Sequence, residues 1–421
     1  MDLIELLKRQ ERLREDYWKN VDYFLPVRLK WRAQMVRHLF HLFPENSLLE
    51  VGSGSCQWTR EISAANGNRN PICAAIFNKE MYEGNQHDYF PKNIERIHLD
   101  SFSEKLSERR FDFIVGYQLL TDENAGMLLS ELKGLLKPGG QILLFDLNPW
   151  NPYHKLKRLV SKLFFFFKQA KEIQHFNRID LSSLLSEIGY IKIKILPYDF
   201  LFPPLPKILL WPMQNLSLIL ENFPYVRNFA GSLFIWAQKP AEENWKRSMS
   251  NLTLHDCFKG RLSVVVPSRN EELNIPPLIE NLQACYGDYI KEIIVVDDNS
   301  RDGTAKITES LALEDSRIKL IRRNMPNGVG RALRDGFDAA NGDFILTMDC
   351  DFQHLLPELT ALFDAIANGA DVAVGSRFSR ESVLLNYAFT KILANRGFHI
   401  LANILSVSYT HLRAHETRHD L

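Results

Sequence analysis

Twice along this chain, apolar runs of strand length alternate with segments of helix length, and many of the runs end in polar or acidic residues. That pattern restricts the fold more than any other feature. Strands that must be joined by helices form mostly parallel sheets covered by helices, so the chain reads as two α/β units. The first unit has runs at Ser47–Val51, Ile72–Phe77, Ile94–Leu99, Phe111–Val115 and Gln141–Phe145, with Ile191–Leu196 and Ser232–Gln238 completing its sheet. The second has runs at Leu262–Val266, Glu292–Val296, Ile318–Ile321, Phe344–Met348 and Val372–Val374. Between them the polar stretch Pro240–Lys259 reads as a linker. A length of 421 residues accommodates both units.

In open α/β sheets ligands bind beyond the carboxyl ends of the strands, so the residues at those ends carry the functional reading. In the first unit, SLLEVGSGSC (residues 47–56) is a strand that runs through Glu50 into a glycine turn at Gly52 and Gly54. Glycine lets backbone approach a ligand closely, and the helix expected at Gln57–Ala65 would direct its first N–H groups at an anion. The dinucleotide fingerprint is not met, because Gln57 stands where its third glycine belongs. Lys137-Pro138-Gly139-Gly140 predicts a tight turn between a helix at Met127–Leu136 and the strand Gln141–Phe145. Asp100 ends the third run. His38, His41, Asp146, Asn148 and Tyr153 either face a substrate or are ordinary surface residues, and each reads more readily as the latter.

In the second unit LSVVVPSRNEE (residues 262–272) stops its strand at Pro267 and opens a polar loop with Arg269 and Glu271. IIVVDDNSRDGT places Asp297 and Asp298 at the next tip, and FILTMDCDFQH places Asp349 and Asp351 two apart around Cys350. Residues two apart on an extended tip face the same way, so both carboxylates can approach one hard cation. Mg2+ or Mn2+ carrying a substrate diphosphate suits so few protein oxygens. The fifth run ends VGSRF and presents Arg377, whose guanidinium fork matches phosphate.

Across Leu29–Lys239 the glycine turn, the LLKPGGQILL block and the ending LENFPYVRNFAGSLFIWAQK resemble the class I S-adenosylmethionine-dependent methyltransferases. The resemblance implies a seven-stranded sheet and S-adenosylmethionine as cofactor. Glu50 would start the motif, Gly52 and Gly54 would line the methionine part, and Asp100 would lie near the adenine. Two positions depart from the family: Cys56 replaces its third glycine, and Ile76-Phe77-Asn78 replaces the acid that would hold the ribose hydroxyls.

From Arg261 to about Leu405 the blocks resemble family 2 glycosyltransferases of the GT-A fold, in the style of dolichyl-phosphate mannose synthases. This implies inverting, metal-dependent transfer from a nucleotide sugar. Pro267, Arg269 and Glu271 would frame the nucleotide base, where the family usually has tyrosine at Arg269. Val296 and Asp298 would contact base and ribose. Asp349, Cys350 and Asp351 form the DxD motif, with Asp349, Asp351 and Gln353 around the metal and Arg377 on phosphate. The acceptor is expected to be a polyprenyl phosphate or a glycan. The whole chain then reads as a bifunctional enzyme of cell-envelope glycan assembly. A scaffold role for a catalytically dead first unit is the rival reading, and a nucleotidyltransferase is disfavoured by the acidic PSRNEE loop.

Net charge is zero, which gives no electrostatic reason to expect nucleic acid as a partner. Five scattered cysteines without CxxC spacing point to a reducing compartment, and no apolar run reaches the ~18 residues of a membrane span. The expected location is the cytoplasm, with peripheral contact at the inner face of the membrane as one reading of the basic stretch around Phe164–Phe167. Residues 1–28 read as an amino-terminal helical extension. SVSYTHLRAHETRHDL (residues 406–421) resembles translated adapter sequence, so the glycosyltransferase-like part is expected to be truncated near Leu405 and the tail non-native.

Overall fold

The computed structural model describes residues 3–21, 25–84, 89–100, 106–121, 123–152, 178–201, 213, 216–217, 220–221, 223, 225–241, 252–350, 356 and 359–375. Asp351, Gln353, Arg377, Tyr153, the basic stretch around Phe164–Phe167 and the tail lie outside the described residues. The described residues separate into two compact units, within Met1–Arg247 and Ser248–Ser376.

The first unit opens with helices α1 (Leu3–Val21) and α2 (Leu25–Phe40). It continues with β1 (Leu48–Val51), α3 (Gln57–Ala65), β2 (Ile72–Ile76), α4 (Lys79–Gly84), β3 (Ile94–His98) and β4 (Phe111–Tyr117). It closes with α5 (Ala125–Leu135), β5 (Leu136–Leu147), α6 (Arg178–Ile188), β6 (Ile191–Tyr198) and β7 (Ser232–Gln238). The seven strands lie in the order β3-β2-β1-β4-β5-β7-β6. Only β7 runs antiparallel to its neighbours. This is the methyltransferase-like seven-stranded α/β sheet that the sequence implies.

Every residue of β1 and β2 is buried, because helices cover both faces. Alternation divides the strands between two cores. Leu49, Val51, Cys73 and Ala75 pack with Leu128, Leu132 and Leu185 and with Ile4 and Leu7 of α1. Leu48, Ile72, Ala74 and Ile76 pack with Val36, Phe40, Trp58 and Ile62 of α2 and α3. The amino-terminal helix α1 thus buries an apolar stripe, with Ile4 and Leu7, against the sheet.

Two expectations are corrected here. Leu136 already pairs with Phe111, and pairing resumes at Gln141 with Phe113, so Lys137–Gly140 is a bulge inside a long strand rather than a turn before it. Gly139, at φ 72, supplies the backbone conformation that the bulge requires. Asp146 and Asn148 are buried, not surface residues. Asp146 accepts from Leu120 N, and the Asn148 amide donates to the carbonyls of Asn228 and Ala230, which fasten β5 to neighbouring loops.

The second unit contains β8 (Leu262–Ser268), α7 (Ile275–Tyr286), β9 (Ile290–Asp297), α8 (Thr304–Glu314) and β10 (Ile318–Arg322). It ends with α9 (Val329–Ala339), β11 (Phe344–Thr347) and α10 (Leu359–Ala367). Its sheet is wholly parallel, in the order β10-β9-β8-β11. Val372–Val374 adds no strand: both valines stand exposed, with no ladder partner among the described residues to hold so short a run. Helix α9 lies close on the sheet because Gly336 lacks a side chain, and a Cβ there would come within 2.4 Å of Val265.

Half of the expected linker belongs to this unit. Leu252, Leu254 and Phe258 are buried, and the Phe258 ring packs edge-on against Phe344 and Phe363. Leu252 N donates to Cys285 O at 2.7 Å. These three apolar anchors tie the stretch down. Across the starts of the strands, buried Glu292 joins Ser263, Lys319 and Asn341. Burial pushes this carboxyl up, but the Lys319 ammonium, the Ser263 hydroxyl and the Asn341 donors outweigh it and hold it at about 2.

Candidate functional site

The parallel strands of the second unit bring their carboxyl ends to one edge. There the β8 and β9 tips interlock: Asp298 N donates to Ser268 O at 2.9 Å, and Ser268 Oγ to Val296 O at 3.3 Å. The two following loops are sewn together by Asn270 N to Ser300 Oγ (2.9 Å), Arg301 N to Asn270 Oδ1 (2.9 Å) and Glu271 N to Thr304 Oγ1 (2.8 Å). Asn270 and Asn299 take left-handed backbone at φ 59 and φ 62, which asparagine tolerates better than most residues. After β11, Met348 and Cys350 are buried while Asp349 between them is exposed. The Cys350 thiol lies 3.8 Å from Pro267 O, so the acidic tip is seated against the Pro267 turn.

The expected site residues thus fall into distinct groups. Pro267 and Cys350 meet, and Arg269 stands exposed beside them. Val296 is buried in the core with Val265 and Ile294, so its side chain does not face the edge and only its backbone is available there. Glu271 accepts from the Asn274 side chain at 2.6 Å, at the start of α7. Asp298 is buried, and its carboxylate receives the Arg323 guanidinium and Gly328 N (2.7 Å). Arg323 also holds Asp335. The sequence reading missed Arg323, although the pair Arg322-Arg323 at the end of β10 marked a cation at this same edge.

Neighbouring acids are similarly engaged: Asp297 accepts from Ser300, and Asp302 caps α8 by accepting from Thr304 N and Oγ1. Asp349 is the exposed carboxylate at the β11 tip that no hydrogen bond engages among the described residues. The described residues hold no group of three His, Cys, Asp or Glu that could ligate a metal by themselves. The donor chemistry at the tip, carboxylate oxygen beside an open turn, fits a hard divalent cation that draws its other oxygens from a diphosphate.

At the first unit's edge the glycine turn follows β1, with Gly52 at φ 69 and Gly54 at φ 52. Glu50 does not reach the edge. It lies fully buried behind the turn, where Thr59 Oγ1 of α3 donates to it at 2.5 Å. Burial raises its carboxyl to about 8, against the lowering effects of Thr59 and Arg14. Cys56 adopts φ 56, the left-handed conformation that a glycine would take without strain, and its buried thiol is pushed up to about 12. Asp100 is exposed after β3, with Oδ2 3.3 Å from His98 Nδ1.

Side chains of α1 that the sequence reading left out occupy this edge. Glu11 accepts from Gly54 N (2.9 Å), Phe77 N (3.1 Å) and Asn78 N (2.7 Å). Arg14 donates to Gly52 O and to Tyr117 O (3.1 Å), and Glu15 accepts from Ser55 N at 3.4 Å. All three charged residues are buried. The signal was present in the sequence: Ile4, Leu7, Glu11 and Arg14 form one helical stripe, apolar at first and then charged. The backbone groups of the glycine turn are thus hydrogen-bonded by side chains of the chain's own first helix.

Both units are thus α/β sheets whose strand ends converge on one edge, the class of fold that binds ligands there. Residues 263–416 match the model of the Glycosyl transferase family 2, so the second unit carries a family 2 glycosyltransferase domain. That match runs beyond Leu405. The same part of the chain is 34% identical over 137 residues to dolichol-phosphate mannosyltransferase of Pyrococcus furiosus, covering 32% of this chain and 39% of that protein. It is 33% identical over 141 residues to polyprenol monophosphomannose synthase of Mycolicibacterium smegmatis, covering 32% and 52%. The chain spans about half or less of the length of these relatives. Among solved structures, phosphoethanolamine N-methyltransferase 2 of Haemonchus contortus with S-adenosyl-L-methionine is similar at 17% identity and TM-score 0.35, over 50% of this chain and 52% of that one. Human N-acetylserotonin methyltransferase is similar at 18% identity and TM-score 0.35, over 57% of each chain. No helix among the described residues is long and apolar enough to cross a membrane.

Proposed function

We propose that the second unit transfers a sugar, with inversion, from a nucleotide-sugar donor to a polyprenyl phosphate, with Mg2+ or Mn2+ bound through Asp349 and Asp351. The carrying observation is the β11 tip, where exposed Asp349 is seated beside the Pro267 turn through buried Cys350. The names of the relatives supply the acceptor class: a dolichol phosphate in one, a polyprenol phosphate in the other. A cation held there would stabilise the charge that develops on the departing nucleoside diphosphate. Pro267, Arg269 and Asp298 would line the nucleotide, with Asp298 fixed in place by Arg323. Gln353 would complete the metal's surroundings and Arg377 would steady phosphate.

A phosphate acceptor needs no protein base, since a phosphomonoester with a second pKa of about 6 is already anionic at neutral pH. The engaged state of Asp297, Asp298 and Asp302 agrees with that, because a general base must be available to the acceptor. A glycan hydroxyl acceptor is the alternative, and would need a carboxylate base. In this reading the first unit is an S-adenosylmethionine-dependent methyltransferase domain. The filling of its glycine turn by Glu11 and Arg14 supports a second reading, in which this fold serves as a scaffold without catalysis.

The test is transfer of labelled sugar from a panel of nucleotide sugars to polyprenyl phosphate in detergent, with Mn2+ or Mg2+. A chelator should abolish transfer, and Asp349→Ala should lower it about a hundredfold. Transfer that survives both changes would remove the metal assignment.

A further inference from the structure

We propose that helix α1 is a built-in occupant of the first unit's ligand pocket, so that S-adenosylmethionine and α1 compete for the same backbone groups. This rests on reading that unit as an S-adenosylmethionine site. The groups in question belong to the ends of three adjacent parallel strands. Gly54 N follows β1, Phe77 N and Asn78 N follow β2, and Gly52 O and Tyr117 O lie at the ends of β1 and β4.

Together they form a concave set of three donors and two acceptors, suited to a small molecule that carries both an anion or hydroxyls and a cation. The amino-acid end of S-adenosylmethionine carries a carboxylate and an ammonium, and its ribose carries hydroxyls. The chain fills each half with like chemistry: the Glu11 carboxylate takes the three N–H groups, and the Arg14 guanidinium takes the two carbonyls.

The fit reaches the glycines themselves. A Cβ on Gly54 would come within 2.4 Å of Glu15 Oε1 and 2.9 Å of an Arg14 guanidinium nitrogen. The space left by the missing side chain is therefore the space that α1 uses. Asn78, which stands where an acid would hold ribose, gives its backbone N–H to Glu11 and uses its side-chain oxygen to receive Glu80 N at 3.0 Å. Packing alone does not explain the charges. Leu7 and Ile4 one and two turns earlier anchor the helix apolarly, so the charges at 11 and 14 serve the five backbone groups, which apolar residues of similar volume would leave unpaired. A helix that has to leave gains from charged contacts that water can replace.

Two measurements on the full chain test this. Calorimetric titration with S-adenosylmethionine should show weak binding by the wild type and at least about tenfold tighter binding by Glu11→Ala/Arg14→Ala, as expected when the open form is about a tenth or less of the population. Hydrogen exchange on the wild type, which needs no substitution, should show faster exchange at residues 3–21 when millimolar S-adenosylmethionine is added. A variant with wild-type circular dichroism and no gain in affinity overturns the competition, as does slower exchange at 3–21 on binding, which would make α1 a cover rather than a rival. If the variant fails to fold, the exchange result on the wild type decides. Absence of binding by either form at millimolar ligand overturns the S-adenosylmethionine reading itself, and with it the proposal.

Discussion

The two units present the same kind of edge in opposite states. In the first, a helix from earlier in the chain fills the strand ends with buried charge; in the second, Asp349 and Arg269 stand exposed at the strand ends. The sheets themselves do not cause the difference, since both deliver parallel strands to their edge. What precedes the first strand does. Before β1 lies α1, with Glu11 and Arg14 on its inner face; before β8 lies Leu252–Phe258, which packs away into the core. An acid near a strand end is thus no indicator of a site until its partners are known.

The same lesson holds within the sheets. Glu50 and Glu292 are both buried on strands, yet Glu50, with Thr59 as its hydrogen-bond donor, is raised to about 8 and Glu292, with Lys319, Ser263 and Asn341, is lowered to about 2.

The largest expected effect tests where the second unit begins. Phe258→Ala should cost about 3–5 kcal/mol, because it empties a buried aromatic position between Phe344 and Phe363. In calorimetric unfolding, the transition that should fall is the one raised by a nucleoside diphosphate with Mn2+. A change of a few tenths would return residues 252–260 to the linker.

The glutamates come next. Glu292 has its carboxyl at about 2 in the folded chain against an ordinary 4.5, so its stabilisation is present above about 4.5 and is lost as pH falls through about 2. Glu292→Gln should therefore destabilise the second unit by about 2–3 kcal/mol at neutral pH. Glu50 runs the other way. Its folded value of about 8 lies above the ordinary 4.5, so its favourable contribution is full below about 4.5 and declines as pH rises to about 8. Glu50→Gln should flatten that decline, seen as a smaller drop in urea midpoint between pH 5 and pH 8. Parallel pH profiles for the two variants would dissolve the contrast. The smallest effect is Thr59→Val, which removes one donor to Glu50 and should cost about 1 kcal/mol, measured in the same urea experiment.

Much of the fold was legible because buried parallel strands are predominantly apolar. LLEV, ICAAI and FIVGY stand out for that reason, and α3 begins and ends where the reading places it. Val372–Val374 fails the same logic, since apolar residues make a strand only beside a partner. The glycine turn and the acidic tips were legible because strand ends are where chemistry collects. The engagement of Asp298 by Arg323, and of the glycine turn by α1, was not. Charges at 11, 14 and 15 look like solvated helix surface unless the apolar stripe through Ile4 and Leu7 is followed onward. Asp146 and Asn148 escaped for a related reason, because a buried polar side chain is recognised by the carbonyls and amides it satisfies, and those are distant in sequence.

One consequence of the α1 contacts concerns timing on the ribosome. Arg14 reaches the carbonyl of Tyr117, 103 positions later, and Glu11 reaches Asn78, 67 positions later. At 5–20 residues per second, about 5–20 s pass between synthesis of the helix and completion of its receptor. Through that interval Ile4 and Leu7 lack the sheet they pack on, and Glu11 and Arg14 lack the strand ends they fill. Those charges keep the waiting segment soluble before they fill the pocket.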